Sequence, residues 1–358
     1  MPLAAGGIRK LPKSLPCAPL GKYIAAATRE ERIERHTLRL DVLSPGRLVP
    51  WLGPAIRGIT ALRYRAATCR QPMTEWNGRW KHCRGCPHLP SCGYGIAFEP
   101  ESPAATDTLQ QLTRPLDASG PEHSPTIDAV RRLVIAPSYP VGAVARPGDS
   151  LEVTITGIGN AVAATLPGIV TALADAGRRD GLGPDRVRFS LAEPRPRTDV
   201  IVVDPARLPP LRADAARLPR VTIDLQSPLF LREREARSRH VILDPDFATL
   251  LRHAVRIVGE FFREIPGPGH EAAAAGVTTA ANELRPFRQE KASRRTFRRF
   301  EMEGVVGSCT FANVPDCCLP WLTLAGLLHV GGHRVAGAGG WTVHTKLVPT
   351  QGSPGLPR

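Results

Sequence analysis

The sequence predicts an α+β protein of two tandem ferredoxin-like domains, the first carrying a cysteine-rich, zinc-binding insertion. Three observations carry that expectation. At 358 residues the chain exceeds one ordinary core. The order strand, helix, strand, strand, helix, strand can be traced in each half, which is the split βαβ pattern. Between the halves lies a Pro- and Arg-dense stretch, EPRPRTDVIVVDPARLPPLRADAARLPR, of the kind that separates domains.

The elements follow in order. His36 to Leu43 alternates polar and apolar residues as a half-buried strand does, and Ser44-Pro45-Gly46 supplies turn chemistry. Leu52, Ile56, Ile59 and Leu62 then recur at helical spacing. Tyr94 to Phe98 reads as a short strand and Glu99 to Ser124 as a polar, Pro-rich loop. Leu133 to Ile135 and Ser150 to Ile158 read as strands, Ala164 to Ala176 as a helix stopped by Gly177, and Val187 to Leu191 as a strand. In the second half the same logic gives a strand at Val221 to Leu225 and a helix at Phe247 to Phe262. A strand pair within Arg298 to Phe311, a helix at Leu319 to Leu328 and a last strand at Trp341 to Leu347 complete it. The expected organisation is a loosely ordered arm (1–30), a first domain (31–195) with its insertion at 69–92, and a linker (196–220). A second domain (221–348) with a glycine-rich loop at 329–340 and a tail (349–358) follow.

Charge narrows the partner. There are 47 basic residues against 33 acidic ones, a formal net charge of +14, and only six of the basic residues are lysine. A GC-rich genome explains the choice of arginine over lysine but not the shortage of acids. Planar guanidinium forks match phosphate oxygens in pairs and stack on bases, so a nucleic-acid partner is expected. No stretch of 18 apolar residues and no apolar central run of a secretory signal is present, so the expectation is a cytoplasmic protein without a membrane partner.

Cys69, Cys83, Cys86 and Cys92 stand at C-x13-C-x2-C-x5-C in a segment poor in apolar residues. Four thiolates suit one tetrahedral structural Zn2+, with the C-x2-C pair as a knuckle, and His82 or His88 could replace one thiolate. No HExxH or HxE…PCxxC pattern points to a catalytic metal.

LLHVGGHRVAGAGGWTV, Leu327 to Val343, packs five glycines between Gly331 and Gly340. Glycines in series let backbone come close to a ligand and aim N–H groups at phosphates. The loop matches neither GxGxxG nor GxxxxGK[ST], and its helix-then-strand order reverses both nucleotide loops, so an extended polyanion such as RNA fits better.

That loop, preceded by RRFEMEGVVGSCTFANVPDCCLPWLTLAG, resembles the C-terminal signature LxHxGxxxxxGxGxxxV of the CRISPR-associated pre-crRNA processing endoribonucleases of the RAMP superfamily. IRGITALRYRAATC, CRGCPHLPSCGYGIAFEP and LQSPLFLRE are similar to further segments of the same family. The resemblance implies paired ferredoxin-like (RRM-like) RAMP domains that grip a CRISPR repeat RNA and cut it once with no catalytic metal. The 2′-hydroxyl attacks the adjacent phosphate, leaving a 2′,3′-cyclic phosphate. It implies crRNA and the subunits of a CRISPR effector complex as partners.

Two departures stand out: Gly332 occupies a position that is often basic in the family, and the first helix, where many members hold a catalytic histidine, has none. His36, which opens the first strand beside a possible cleft with Lys22 and Tyr23 upstream, is the candidate general base, and Arg57 the phosphorane cation. His329 reads as a structural support of the loop. The candidate RNA contacts are Arg294, Arg295, Arg298 and Arg299, together with Gly331, Gly332, His333, Arg334, Gly337 and Gly339. The departure in the first helix also keeps a non-catalytic RNA-binding RAMP subunit open. A zinc-stabilised DNA-binding regulator would share the charge and cysteines but not the glycine loop.

Overall fold

The computed structural model describes residues 31–70, 91–99, 130–193, 195–233, 240–262, 269–293 and 298–345, together with Cys83, Cys86 and His88. The expected arm and tail, the Glu99 to Ser124 loop beyond Glu99 itself, and most of the cysteine insertion lie outside the described residues.

In the first half, β1 (Glu31–Val42) leads into α1 (Gly53–Thr68), α2 (Gly93–Phe98), β2 (Leu133–Pro137), β3 (Ser150–Ile158), α3 (Leu166–Arg179) and β4 (Phe189–Leu191). The strands run antiparallel in the order β2-β3-β1-β4. Leu38, Leu40, Ile155 and Phe189 from the sheet pack against Ile56, Ile59, Ile169 and Leu173 from α1 and α3. Pro54 and Pro167 stand in the first turns of these helices, where a missing N–H costs nothing.

Three expectations change here. Tyr94 to Phe98 is helical, not extended: the two rings stack four residues apart at 5.3 Å and 13°, a pairing that only one face of a helix provides. Gly177 lies inside α3, not at its end; the position is glycine because a side chain there would strike Phe189. The linker expected at 196–220 contains a fifth strand, β5 (Arg197–Val203), whose β-branched run pairs with β1 through Ile33↔Ile201.

The second half repeats the order. β6 (Arg217–Leu225), α4 (Phe247–Phe262), β7 (Thr278–Asn282), β10 (Ser308–Pro315), α5 (Cys318–Leu328) and β11 (Trp341–Thr345) form a four-stranded sheet ordered β7-β10-β6-β11. The strand pair expected within Arg298 to Phe311 is divided differently. β10 pairs with β7, while β9 (Arg298–Val306) folds back on β8 (Arg285–Ser293) as a separate two-stranded ribbon. The apolar residues of α4 at 247, 250, 251, 254, 255, 258 and 261 are buried against the sheet.

The halves share apolar contacts. Ile33 and Ile158 of the first sheet belong to the core of the second half. A third cluster joins Trp51, which precedes α1, to Phe230, Phe287, Met302, Ala336 and Ala338 of the second half. No helix among the described residues is long and apolar enough to cross a membrane.

Candidate active site

The glycine loop sits at this seam, and the close approaches its glycines permit are made to the protein itself. At Gly337 (φ 82°) a side chain would strike Ala136 of β2, and at Gly331 (φ 83°) it would strike the Phe230 carbonyl. The amides of Gly332, Gly337 and Gly339 donate to the carbonyls of Phe230 (2.8 Å), Arg334 (2.8 Å) and Pro228 (2.9 Å). Those three N–H groups are therefore spent within the fold and form no phosphate cradle, a correction to the expectation for the loop. His329, as expected, braces it: Nδ1 lies 3.0 Å from the Ala338 carbonyl, and burial pulls its pKa down to about 4.

Arg334 turns inward too. Its Nη2 donates to the Arg131 carbonyl at 2.6 Å and its guanidinium lies 4.9 Å from the Phe261 ring centroid. It thus ties the loop to the first half instead of offering its charge to solvent. Burial and the neighbouring Arg131, Arg132 and Arg256 lower its pKa to about 10, against the opposing pull of Glu260.

His333, by contrast, opens onto the seam. Its ring meets Phe230 edge-on at 5.2 Å and Trp51 at 6.5 Å, and lies nearly parallel to Phe300 at 6.5 Å and 14°. The ribbon supplies this face. Lys291 is the cross-strand partner of Phe300, and its ammonium lies 5.4 Å from that ring's centroid. From the first half comes Arg57 of α1, half-buried, 5.3 Å over Phe98. Burial and Arg131 pull its pKa down to about 10, although Tyr94 and Glu99 act against this.

The cations are coupled. Burial and then Arg57 hold Lys291 below the ordinary lysine value, and burial, Lys291 and Arg232 pull His333 down to about 4. Arg57, Lys291 and His333 thus form a partly desolvated cluster of basic side chains. Residues 223–341, which supply all of it but Trp51, Arg57 and Arg131, match the family of the CRISPR-associated endoribonuclease Cas6. The second half matches the Cas6 family.

Residues 31–208 match a separate family described as an N-terminal domain. The chain is similar to a solved Cas6 product complex at 14% identity, with 88% of this chain and 99% of that one covered and a TM-score of 0.47. It is similar to Thermus thermophilus Cas6 at 13% identity, over 89% of this chain and 100% of that one, with a TM-score of 0.44. A partial Cas6-RT-Cas1–Cas2 complex is similar at 12% identity, over 92% of this chain and 49% of that one, with a TM-score of 0.49. No curated protein matches the chain.

Other sequence candidates fall away from this open face. His36 does not open the first strand; it is the sixth residue of β1, 6% exposed, between Ile155 and Thr198. Its Nε2 is 2.9 Å from Glu34 Oε1 and its Nδ1 is sealed without a partner, so a substrate hydroxyl has no route to it. Tyr23, Arg294 and Arg295 lie outside the described residues, and Arg298 stands opposite Ser293 at the end of the ribbon. Arg299 is exposed, 3.4 Å from Glu290. Sequence reasoning missed Lys291 because KASRRTFRRF draws the eye to its arginines; the alternation Phe287, Gln289, Lys291 was the available signal.

Of the cysteines, Cys83 and Cys92 are buried in the first core, and the Cys86 amide donates to the Cys83 carbonyl at 2.9 Å, as a C-x2-C knuckle requires. Burial and nearby Glu99 push the Cys83 thiol up to about 12, so a thiolate there needs a cationic partner. The donor types suit zinc, but the described side chains form no group of three or more able to hold a metal.

Proposed function

We propose that this chain is a CRISPR repeat endoribonuclease in which two ferredoxin-like domains hold repeat RNA across the seam and cleave it once, with no metal in the chemistry. The 2′-hydroxyl attacks the adjoining phosphate and the products are a 2′,3′-cyclic phosphate and a 5′-hydroxyl. One observation carries this reading: the region matching the Cas6 endoribonuclease family supplies Lys291, Phe300 and His333, and Arg57 of α1 is close enough to act electrostatically on Lys291. The shared strand order of the two sheets supports the tandem ferredoxin-like description. The net charge of +14 and the mutually repelling seam cations support a polyanion.

Arg57 and Lys291 act as cations that draw in the phosphodiester and stabilise the crowded phosphorane, and exposed aromatic Phe300 offers a face for a base. The cleaved RNA is carried within a CRISPR effector complex. A structural zinc held by Cys69, Cys83, Cys86 and Cys92 closes the insertion and takes no part in cleavage.

The test is incubation of purified protein with its cognate repeat RNA in excess chelator. One cut is expected, leaving a cyclic phosphate, and a 2′-deoxy substitution at the attacking nucleotide should abolish it. Tight binding without any cut would assign the chain to non-catalytic RNA-binding subunits.

A further inference from the structure

Cleavage by a 2′-hydroxyl needs a proton acceptor that solvent and substrate can reach, beside a cation. Among the described histidines, His36 and His329 are committed within the fold, His270 has a sealed Nδ1, His344 lies 3.0 Å from Thr342 Oγ1 on the last strand, His240 and His253 have interaction partners, and His88 stands in the cysteine insertion. His333 differs from these on each point. Neither ring nitrogen hydrogen-bonds a described protein atom, neither is sealed from solvent, and Lys291 lies beside the same Phe300 ring.

We propose that His333, carried by the glycine loop of the second domain, is the general base for the 2′-hydroxyl, and that the Lys291 ammonium is the acid for the leaving 5′-oxygen. This rests on the endoribonuclease reading above. It places the base on the opposite side of the seam from α1, whose residues include no histidine.

Two features show a built position. The backbone at His333 is left-handed, φ 57° and ψ 13°, a conformation that costs a non-glycine residue free energy and is retained where the surroundings enforce it. Its carbonyl accepts the Ala336 amide at 2.8 Å, which fixes that turn. The Trp51 and Phe230 rings then limit how the imidazole can rotate.

Electrostatics agree with the role. The charged groups acting on His333 are Lys291 from the ribbon and Arg232 from the segment after β6, with Arg57 of α1 acting through Lys291. With its pKa drawn down to about 4, the imidazole is neutral and able to accept at pH 7. A bound phosphodiester offsets the same cations and lets the imidazolium form as the proton arrives. In the reaction His333 takes the 2′-OH proton, the 2′-oxygen bonds to phosphorus, and the bond from phosphorus to the 5′-oxygen breaks. Lys291 gives that oxygen its proton, and exchange with water restores both side chains.

The test is single-turnover cleavage of cognate repeat RNA in chelator, with His333→Asn and His333→Gly, two residues that accept left-handed backbone, and Lys291→Met. Both His333 variants should bind RNA within about threefold of wild type and cleave roughly 10²–10⁴-fold more slowly. Added imidazole should restore part of the His333→Gly rate. A substrate with sulfur in place of the bridging 5′-oxygen, a leaving group that needs no acid, should restore the acid's share of the Lys291→Met loss, leaving the electrostatic share, and should rescue neither His333 variant. His333 variants that cleave within threefold of wild type overturn the assignment, as does binding lost in parallel with cleavage and unrestored by imidazole. A wild-type protein that never cuts would instead remove the endoribonuclease reading, and this inference with it.

Discussion

Gln289 answers both peptide groups of Trp51: its Oε1 accepts the Trp51 amide at 3.1 Å and its Nε2 donates to the Trp51 carbonyl at 2.9 Å. A side chain of the ribbon thereby completes the backbone pairing of the segment that enters α1. Replacing Gln289 by Leu leaves a buried amide and carbonyl unpaired. We expect a loss of about 1–3 kcal/mol, read as a lower urea midpoint, with cleavage falling because His333 and Arg57 lose register.

Trp51 is fully buried among Phe230, Phe287 and His333. Trp51→Ala should cost about 3–5 kcal/mol. The check is thermal unfolding followed by near-ultraviolet circular dichroism.

Two glycine-to-alanine changes should move stability in opposite directions. At Gly337, with φ 82° and Ala136 in the way, alanine should destabilise and loosen the seam. At Gly58, exposed on α1 with open space around it, alanine should stabilise by about 0.5–1 kcal/mol. Equal shifts at the two sites would contradict the packing described.

Acid should weaken the seam. The pKa of His329 falls from 6.5 in the unfolded chain to about 4 in the fold, so the unfolded state binds more protons between those values. Its contribution is fully present above pH 6.5 and is lost progressively toward pH 4, at most about 3 kcal/mol at 1.36 kcal/mol per unit. Melting temperature measured from pH 7 to pH 4 checks this, and His329→Gln should flatten the dependence.

RNA affinity should fall steeply with salt, and replacing Arg298 and Arg299 together by alanine should lower the slope of log K against log salt by about 1.4 if both meet single-stranded phosphates. One zinc per chain is expected by elemental analysis, with Cys83→Ser and Cys86→Ser losing both metal and thermal stability.

The periodic elements were legible in the sequence because each buries one face against its own domain. The apolar spacing of Phe247 to Phe262 matches the helix found, and Ser150 to Ile158 matches its strand. What escaped depends on distant partners. DVIVVD reads as linker among prolines until β1 offers its edge, and RPFRQEKAS shows no strand of its own because the cover on Phe287 comes from distant Trp51 and Phe230. Tyr94 to Phe98 has too few residues for a period to show, so its aromatic stacking could not be read. Of the site, Arg57, His333 and the loop were singled out beforehand. Lys291 was hidden because the face it occupies is set by ribbon register, and His36 misled because its burial comes from strands paired on both sides.

Ile33 and Ile158 stand on the first sheet yet belong to the second core, which has a consequence for synthesis. A nascent chain that has finished its first half presents these side chains uncovered until the second-half core leaves the ribosome. At ordinary elongation rates that interval is roughly ten seconds. During it the half-made protein carries a sticky spot that a chaperone would have to shield, so slowing translation late in the message should raise the yield of aggregates more than slowing it early.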